Sequence, residues 1–569
     1  MGSDSEQTTR GGAPGQPADR LAVLTDRVAT RGAADAHRGE GANISDARLK
    51  TGRAEWLAIA GVAAMMALVQ SGSPGLSGND SYYHVKMAEM LPAWGFVQAF
   101  PWLHWTIFRD AFVSHHHGFH VLLAPLVWLS DRITGGPILG GKVMTVVCMA
   151  ATAALLAAAL RALGVRHRAA WVLLLAVVPW HFWLRMSYVR APIVALPLML
   201  GAVVLILRQR PIALGVLAFV FTQVYGGAVI FPILPLAFVA AAIWTGEGVR
   251  PAVVSAIASG IGLAAGLVLN PYFPGNLGFL KTQVVDTGLG APAEVGNEWR
   301  SYDAIFLLQI SGGLIVLWGA ALLYRLRSGR AIDGRGIAVL LLNAAFLALT
   351  IKARRFVEYW PVFALLDAAC LAGRNLDVDL FDAGFGPARW PRLREALGVV
   401  VGASAIAYAA VILGVTRNAA KPDLEVDVLR EAMAYLKSST PAGALVLTDD
   451  WDAFPECFFF NTHNHYAVGL DPVFTQVRYP DVWERYRVIT RGEAPARMTT
   501  KTEGPEKATL DDISGVFHAD YVLVARDHPA LYRQLTAADD RFVRVWPEAG
   551  AAGAGQPAFA VFRVQVVAR

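Results

Sequence analysis

The chain has 569 residues, of which 55% are hydrophobic and only 17% are charged, and its mean hydropathy is +0.42. This composition excludes an ordinary soluble globular protein, which carries more charge. The net charge of +5 comes largely from Lys and Arg beside the apolar segments, so it indicates membrane topology rather than nucleic-acid binding. We therefore expect a multi-pass membrane protein.

The first 54 residues are rich in Gly, Ala, Arg and Asp and show no sustained apolar period. Such a composition predicts a disordered tail over residues 1–54. The tail carries several basic residues just before the first apolar segment. The positive-inside rule therefore predicts a cytoplasmic N-terminus in the cell (plasma or inner) membrane.

Apolar segments between residues 55 and 416 approach the length that crosses a bilayer and predict about 11–13 transmembrane helices. The eleven segments are 55–70, 138–161, 169–186, 191–207, 211–224, 225–244, 252–269, 304–324, 337–351, 356–372 and 396–415. With a cytoplasmic N-terminus, this alternation predicts that the long loops 71–137 and 270–303 are extracytoplasmic. The odd number of spans places residues 417–569 on the same side.

The last part of the chain, 417–569, has the size of an ordinary soluble domain. The stretch "EVDVLREAMAYLKSST" has helical apolar spacing, and the short run "GALVLT" after it is typical of a buried strand. Further strand-like and helical stretches alternate to the end. This pattern predicts an extracytoplasmic α/β domain that can build one site together with the two long loops.

Two acidic residues occupy the predicted extracytoplasmic loops. Asp80 lies in "GNDSYYHVKMAEM" beside Tyr82 and His84, and Glu298 lies in "VGNEWRSYD". Each carboxylate also has a simpler interpretation. Asp80 is then a solvated loop residue, and Glu298 is a loop carboxylate paired with Arg300. The functional interpretation is that both oxygens share a hard divalent cation next to a phosphate leaving group.

Two clusters of nitrogen-bearing side chains accompany them. The run "SHHHGFH" supplies His115 and His116, which are either part of a solvated turn or ligands for a metal or a phosphate. The stretch "KARRFVEYWP" places Arg354 and Arg355 on the extracytoplasmic side, against the usual charge asymmetry. Contact with lipid headgroups explains that position, and so does an anion site built from bidentate guanidiniums.

Four motifs in this order resemble those of the catalytic subunits of oligosaccharyltransferases, which are polyprenyl-phosphate-dependent glycosyltransferases of the GT-C superfamily. The motifs are "SGNDSYYHVKMAE", "VGNEW", "RRFVEYW" and "AYLKSSTPAGALVLTDDWDAFPECFF". The resemblance implies a GT-C-like transmembrane domain over 55–416. It also implies catalytic roles for Asp80 and Glu298, and acceptor contacts from Trp451 and Asp452.

The sequence departs from the family pattern at two places. Asp450, Ala453 and Phe454 stand where the family has Trp, Tyr and Gly around the central Trp-Asp. The stretch "RMSYVRAPIV" offers Arg185 and Arg190 where the family has an acidic pair. The resemblance thus leaves two expectations open. One is an Mg²⁺ or Mn²⁺ ion held by Asp80 with His115 and His116. The other is a metal-free site in which Arg190 faces the donor phosphate.

The resemblance implies transfer of a sugar or oligosaccharide from a polyprenyl-phosphate or pyrophosphate donor on the extracytoplasmic face. The acceptor is a protein, a lipid or a polysaccharide, and membrane lipids surround the enzyme. We expect Tyr82, His84, Arg190, Arg354 and Arg355 to contact the substrates. The missing acidic pair favours an alternative, a non-catalytic relative that binds or transports a lipid-linked glycan.

Overall fold

The computed structural model describes residues 52–289, 296–374, 391–421, 425–496, 508–548 and 556–565. The predicted tail lies outside the described residues up to residue 51. The helices of the membrane part are α1 (Arg53–Gln70), α2 (Asp80–Trp94), α3 (His117–Thr134), α4 (Ile138–Ala162), α5 (Arg168–Leu173), α6 (Trp180–Ser187), α7 (Pro192–Leu207), α8 (Pro211–Val224), α9 (Ile233–Thr245), α10 (Arg250–Val268), α11 (Gly275–Lys281), α12 (Ala304–Arg327), α13 (Gly334–Lys352), α14 (Trp360–Ala372) and α15 (Pro391–Ala419).

Within the described residues, seven helices are long and apolar enough to cross a membrane. They are α1, α4, the segment Ala228–Thr245 that contains α9, then α10, α12, α13, and Gly398–Ala419 within α15. Three shorter apolar helices, α7, α8 and α14, coincide with three further predicted spans. The predicted multi-pass helical fold is confirmed. The exact number of crossings stays a prediction.

The predicted span 169–186 is wrong as a single straight helix. Helix α5 continues as a 3₁₀ turn to Val177, and α6 then leaves at an angle of 85°. The break lies at Val178 and Pro179. Val178 is extended, with φ −70° and ψ 166°, because a residue before proline avoids the helical region. The bend places α6, which carries Arg185, next to the cavity described below.

About half of the long loop 71–137 is helical, in α2 and α3, and the loop packs against the membrane helices. Its helix α3 approaches α4 so closely that a Cβ added at Gly140 would lie 2.4 Å from the carbonyl oxygen of Leu126. Only glycine permits such a contact between backbones. The loop is therefore a fixed part of the fold.

The C-terminal part combines helices with one five-stranded sheet. Its elements are α16 (Val426–Ser439), β1 (Leu445–Thr448), α17 (Phe454–Phe460), β2 (His465–Tyr466), α18 (Pro472–Gln476), α19 (Pro480–Thr490), α20 (Asp512–Gly515), β3 (Tyr521–Ala525), α21 (Pro529–Ala537), β4 (Phe542–Trp546) and β5 (Phe559–Val564). The strand order is β2-β1-β3-β5-β4. Strand β1 is parallel to β2 and β3, whereas β5 is antiparallel to β3 and β4. The predicted α/β domain is confirmed.

The loop 71–137 extends the free edge of this sheet. The backbone N–H groups of His104 and Trp105 donate to the carbonyls of Tyr466 and Ala467, each at 2.9 Å. Behind this edge, the ring of Phe100 packs against that of Phe458 with centroids 5.3 Å apart. Backbone pairing and aromatic packing together hold the sheet domain against the loop that carries Asp80.

Candidate functional site

A cavity of about 540 Å³ lies between the membrane helices, the two long loops and the C-terminal domain. Its polar and aromatic lining includes Asp80, Tyr83, His84, His115, His116, Arg190, Tyr225, Glu298, Trp299, Lys352, Arg355 and Asp471. Its apolar lining includes Pro192, Val229, Ile230, Ile233, Leu349 and Phe356. The cavity thus joins a charged end to an apolar wall, and its volume suits a small organic ligand.

Arg190 connects three carboxylates at the charged end. Its Nη1 atom lies 3.2 Å from Asp80 Oδ2 and 3.0 Å from Glu298 Oε2, and its Nη2 atom lies 2.8 Å from Glu358 Oε1. Arg190 lies two residues before the start of α7, and Asp80 is the first residue of α2, where the helix dipole favours a carboxylate. The side chain of Arg190 is only 10% exposed.

Two further arginines complete the network. Arg185 donates from Nη2 to Glu298 Oε2 at 2.7 Å and from Nε to Glu358 Oε1 at 2.6 Å. Arg355 Nη1 lies 3.2 Å from Glu298 Oε1, and its guanidinium packs over the Trp299 ring at 4.3 Å from the centroid. Glu298 is therefore bound by three guanidiniums from two separate segments of the chain, residues 185–190 and residue 355.

The surroundings act differently on the two predicted catalytic carboxyls. Burial opposes ionisation of Glu298, but Arg355, Arg190 and Arg185 outweigh it and hold its pKa well below the usual value. Burial raises the pKa of Asp80, Arg190 lowers it, and the charge of Glu298 raises it again, with a net increase. The side chain of Asp80 is 45% exposed, and the surface it exposes lines the cavity.

Arg190 retains one buried donor without a partner. Within the described part of the chain, its Nε atom forms no hydrogen bond although it is inaccessible to solvent. An unsatisfied buried donor costs about 1–3 kcal/mol, and more when the group is charged. The protein therefore leaves the guanidinium of Arg190 incompletely paired.

The predicted histidines line the cavity as neutral rings. His116 Nδ1 accepts from the backbone N–H of Gly226 at 3.2 Å, and its ring stacks on Tyr225. His115 stacks on Phe279, and burial together with Arg355 lowers its pKa to about 3. His84 Nδ1 pairs with His120 Nε2 at 2.8 Å. Because burial also lowers the pKa of His84 and His116, we expect hydrogen bonding from these rings rather than cationic binding.

Four predicted substrate-binding residues do not line this cavity. The hydroxyl of Tyr82 accepts from Leu76 N at 3.1 Å and its ring packs on Phe459. Arg354 Nε donates to the carbonyl of Ser301 at 3.2 Å. Trp451 and Asp452 form a 3₁₀ turn of the C-terminal domain.

The turn formed by Trp451 and Asp452 is nevertheless hydrogen-bonded to the loop that carries Asp80. Asn79 Nδ2 donates to the carbonyl of Asp452 at 3.2 Å. Burial and the charges of Asp450 and Asp80 raise the pKa of Asp452 to about 7. The substrate-binding roles of Tyr82, Arg354, Trp451 and Asp452 stay predictions.

The structure adds two residues that sequence reasoning did not assign. Glu358, whose side chain is 1% exposed, binds Arg185 and Arg190. The sequence contains a signal for Glu358, because an ionisable residue inside a predicted span, here 356–372, is a functional candidate. Asp471 lines the cavity from the C-terminal domain. Its context, "GLDPVF", resembles an ordinary helix cap and gave no functional signal.

The predicted metal ligands Asp80, His115 and His116 do not form a group with their ligand atoms close together. Among the described residues, Asp449, Asp527 and His528 form the one group of three with possible ligand atoms within 4.8 Å of one another. There, His528 Nδ1 lies 3.1 Å from Asp449 Oδ2 and 3.2 Å from Asp527 Oδ1. The hydrogen bond to Asp449 raises the pKa of His528 to about 9. A protonated Nδ1 is a donor and not a metal ligand, so this group is explained as ion pairs.

The charged end of the cavity does not fit a shared divalent cation either. Such an ion would lie between the oxygens of Asp80 and Glu298. Arg190 Nη1 occupies the position between these oxygens, at hydrogen-bonding distance from both. The guanidinium therefore supplies the positive charge at the place where the expected metal would bind.

Solved structures with the same fold are glycosyltransferases of the GT-C type. The apo oligosaccharyltransferase of Archaeoglobus fulgidus is 12% identical, with a TM-score of 0.60 over 85% of this chain and 71% of that chain. The archaeal oligosaccharyltransferase AglB from the same organism, solved with an inhibitory peptide and a dolichol-phosphate, is 14% identical, with a TM-score of 0.58 over 84% of this chain and 71% of that chain.

ArnT from Cupriavidus metallidurans, bound to undecaprenyl phosphate, is 12% identical, with a TM-score of 0.50 over 90% of this chain and 98% of that chain. No protein-family model and no curated protein matches the sequence. At identities this low the similarity establishes the fold. The predicted resemblance to GT-C glycosyltransferases is confirmed at that level.

Proposed function

We propose that this chain, which has the GT-C fold, transfers a sugar or oligosaccharide from a polyprenyl-phosphate or pyrophosphate donor to an acceptor. The observation that carries the proposal is Arg190, a nearly buried guanidinium that lines the cavity and is oriented by three carboxylates. Two of the similar proteins were solved with dolichol-phosphate or undecaprenyl phosphate, which supports a lipid phosphate as the ligand.

The chemistry of the transfer needs positive charge beside the phosphate. As the bond between the sugar C1 and the phosphate oxygen breaks, negative charge develops on that oxygen. Arg190 and Arg355 line the cavity and supply fork-shaped donors for phosphate oxygens. The apolar wall formed by Val229, Ile230 and Ile233 then receives the first carbons of the polyprenyl chain.

The carboxylates give these arginines their positions. Glu298 contacts all three guanidiniums and Glu358 contacts two, so each fork is fixed before the donor arrives. Asp80 binds Arg190 through Oδ2 while its carboxylate faces the cavity. It therefore hydrogen-bonds the transferred sugar next to the phosphate.

The position of Arg190 favours a reaction without a resident Mg²⁺ or Mn²⁺ ion. A preorganised guanidinium stabilises a departing phosphate by the same electrostatic effect as a metal ion. We further propose that the N-terminus is cytoplasmic, and that residues 55–416 form the transmembrane domain. The domain 417–569 and the cavity then face the extracytoplasmic side of the cell membrane.

The test uses purified protein, radiolabelled polyprenyl-linked sugars extracted from cell membranes, and the solubilised membranes as the source of acceptors. We expect Asp80→Asn to lower transfer by about 100-fold or more, as loss of an oriented charged contact does. The matched control is Asp110→Asn, an exposed carboxylate in the same loop, with less than a twofold change.

Equal transfer by wild type and Asp80→Asn would contradict the assignment of Asp80. A wild-type protein that binds the labelled lipid but transfers no sugar would instead support the alternative of a non-catalytic binder or transporter.

A further inference from the structure

The C-terminal domain contributes one carboxyl group to the cavity. Asp471 lines it together with Leu470 and Phe474, whereas Asp80, Glu298 and the arginines belong to the membrane part and its loops. In the described chain, the carboxyl of Asp471 forms no ion pair, and its one hydrogen bond is from Val473 N to Oδ1 at 3.1 Å. One oxygen is therefore available to a ligand.

The backbone around Asp471 is held in a tight conformation. Leu470 has a φ of +71°, which is uncommon for a residue other than glycine and indicates a conformation imposed by its surroundings. The preceding Gly469 packs so closely that an added Cβ would lie 2.5 Å from Phe454 Cβ. Asp471 then caps α18. These contacts fix the carboxyl at the cavity wall.

We propose that Asp471 is the general base that takes the proton from a hydroxyl group of the acceptor, so that the acceptor class is an alcohol. This inference rests on the proposed function. In a direct displacement, the nucleophile approaches C1 on the side opposite the departing phosphate. The group that takes its proton therefore faces the sugar from the side opposite the phosphate, and Asp471 is the carboxyl that the C-terminal domain supplies to the cavity.

The atoms balance without a further reactant. The acceptor O–H bond breaks and its proton moves to Asp471, while the acceptor oxygen forms a bond to C1. The bond between C1 and the phosphate oxygen breaks, and its electron pair leaves with the polyprenyl phosphate or pyrophosphate. Asp471 then loses the proton to water.

The electrostatic surroundings suit this role. Burial and the negative charges of Glu298 and Asp80 raise the pKa of Asp471 to about 7, against the opposing effects of the Val473 N–H group and Arg355. The rings of His115 and His116, which line the same cavity, are neutral because burial lowers their pKa. A base works best when its pKa is near the working pH. Since the base must be deprotonated, transfer rises with pH through about 7 and then levels off.

The test compares Asp471→Asn with wild type in the transfer assay, over the range from about pH 5.5 to pH 8.5 that brackets this titration. Asparagine is as good a helix cap as aspartate, so the fold is retained, and thermal unfolding in detergent checks this. We expect kcat to fall by about 10²–10⁴-fold, as for a lost general base. Binding of polyprenyl phosphate should be unchanged, and the rise in rate near neutral pH should disappear. The control is Asp481→Asn, an exposed carboxyl of the same domain.

The outcomes separate this inference from the proposed function. Full activity and an unchanged pH profile in Asp471→Asn, with Asp80→Asn inactive, would overturn the role of Asp471 and leave the proposed function intact. A wild-type protein without any transfer would overturn both. Linkage analysis of the labelled product must show C1 bonded to oxygen, and a bond to nitrogen would overturn the acceptor class.

Discussion

Replacement of Arg190 by Gln is expected to lower kcat/KM for sugar transfer by about 10²–10³-fold, the usual loss when an oriented donor to a developing oxyanion is removed. Arg190 is the group that joins Asp80, Glu298 and Glu358, and its Nε atom is the buried donor without a partner. The variant loses both the positive charge and the fork geometry. Transfer of label from polyprenyl-linked sugars measures the effect.

Two companion variants sharpen this result. Arg190→Lys retains the charge but loses the planar fork, so we expect it to restore only part of the activity. Arg109→Gln removes an exposed arginine from the long loop 71–137 and is expected to transfer sugar at the wild-type rate. Activity of Arg190→Gln within a few-fold of wild type would contradict the phosphate-binding role.

Replacement of Glu358 by Gln is expected to destabilise the protein by about 3–5 kcal/mol, the range found when one partner of a buried ion pair is removed. Its Oε1 atom accepts from Arg185 Nε at 2.6 Å and from Arg190 Nη2 at 2.8 Å. Without this charge, two nearly buried guanidiniums repel each other. We expect a lower melting temperature and a lower transfer rate, measured on the purified protein in detergent.

Glu484→Gln is the matched control, because Glu484 is a half-exposed partner of Arg487 within one helix and such pairs contribute little. Its melting temperature should stay close to that of wild type. An unchanged melting temperature in Glu358→Gln would show that the arginines do not depend on the carboxylate, and their fixed arrangement would then need another cause.

Much of the fold follows from patterns that are local in the sequence. Ten of the eleven predicted spans coincide with an apolar helix, because the length of an apolar run is a property of the run itself. The alternation after residue 417 likewise predicts the sheet domain. Even the break in the span 169–186 has a local cause, since Pro179 cannot donate a backbone hydrogen bond and restricts Val178.

The charged network could not be derived in the same way. Arg190 is separated by 110 positions from Asp80 and by 108 from Glu298, and Arg185 is separated by 173 from Glu358. Nothing in the local sequence fixes such pairings, because they depend on how distant helices pack. The motifs predict Asp80 and Glu298, whereas the fold shows Glu358 as the partner of Arg185 and Arg190 and places Asp471 in the cavity lining.

Sugar transfer by the purified protein, with and without excess EDTA, tests most directly whether arginines rather than a metal ion bind the donor phosphate. Because Arg190 Nη1 lies between the oxygens of Asp80 and Glu298, we expect the same rate under both conditions. Loss of transfer in EDTA that added Mg²⁺ or Mn²⁺ restores would contradict this arrangement.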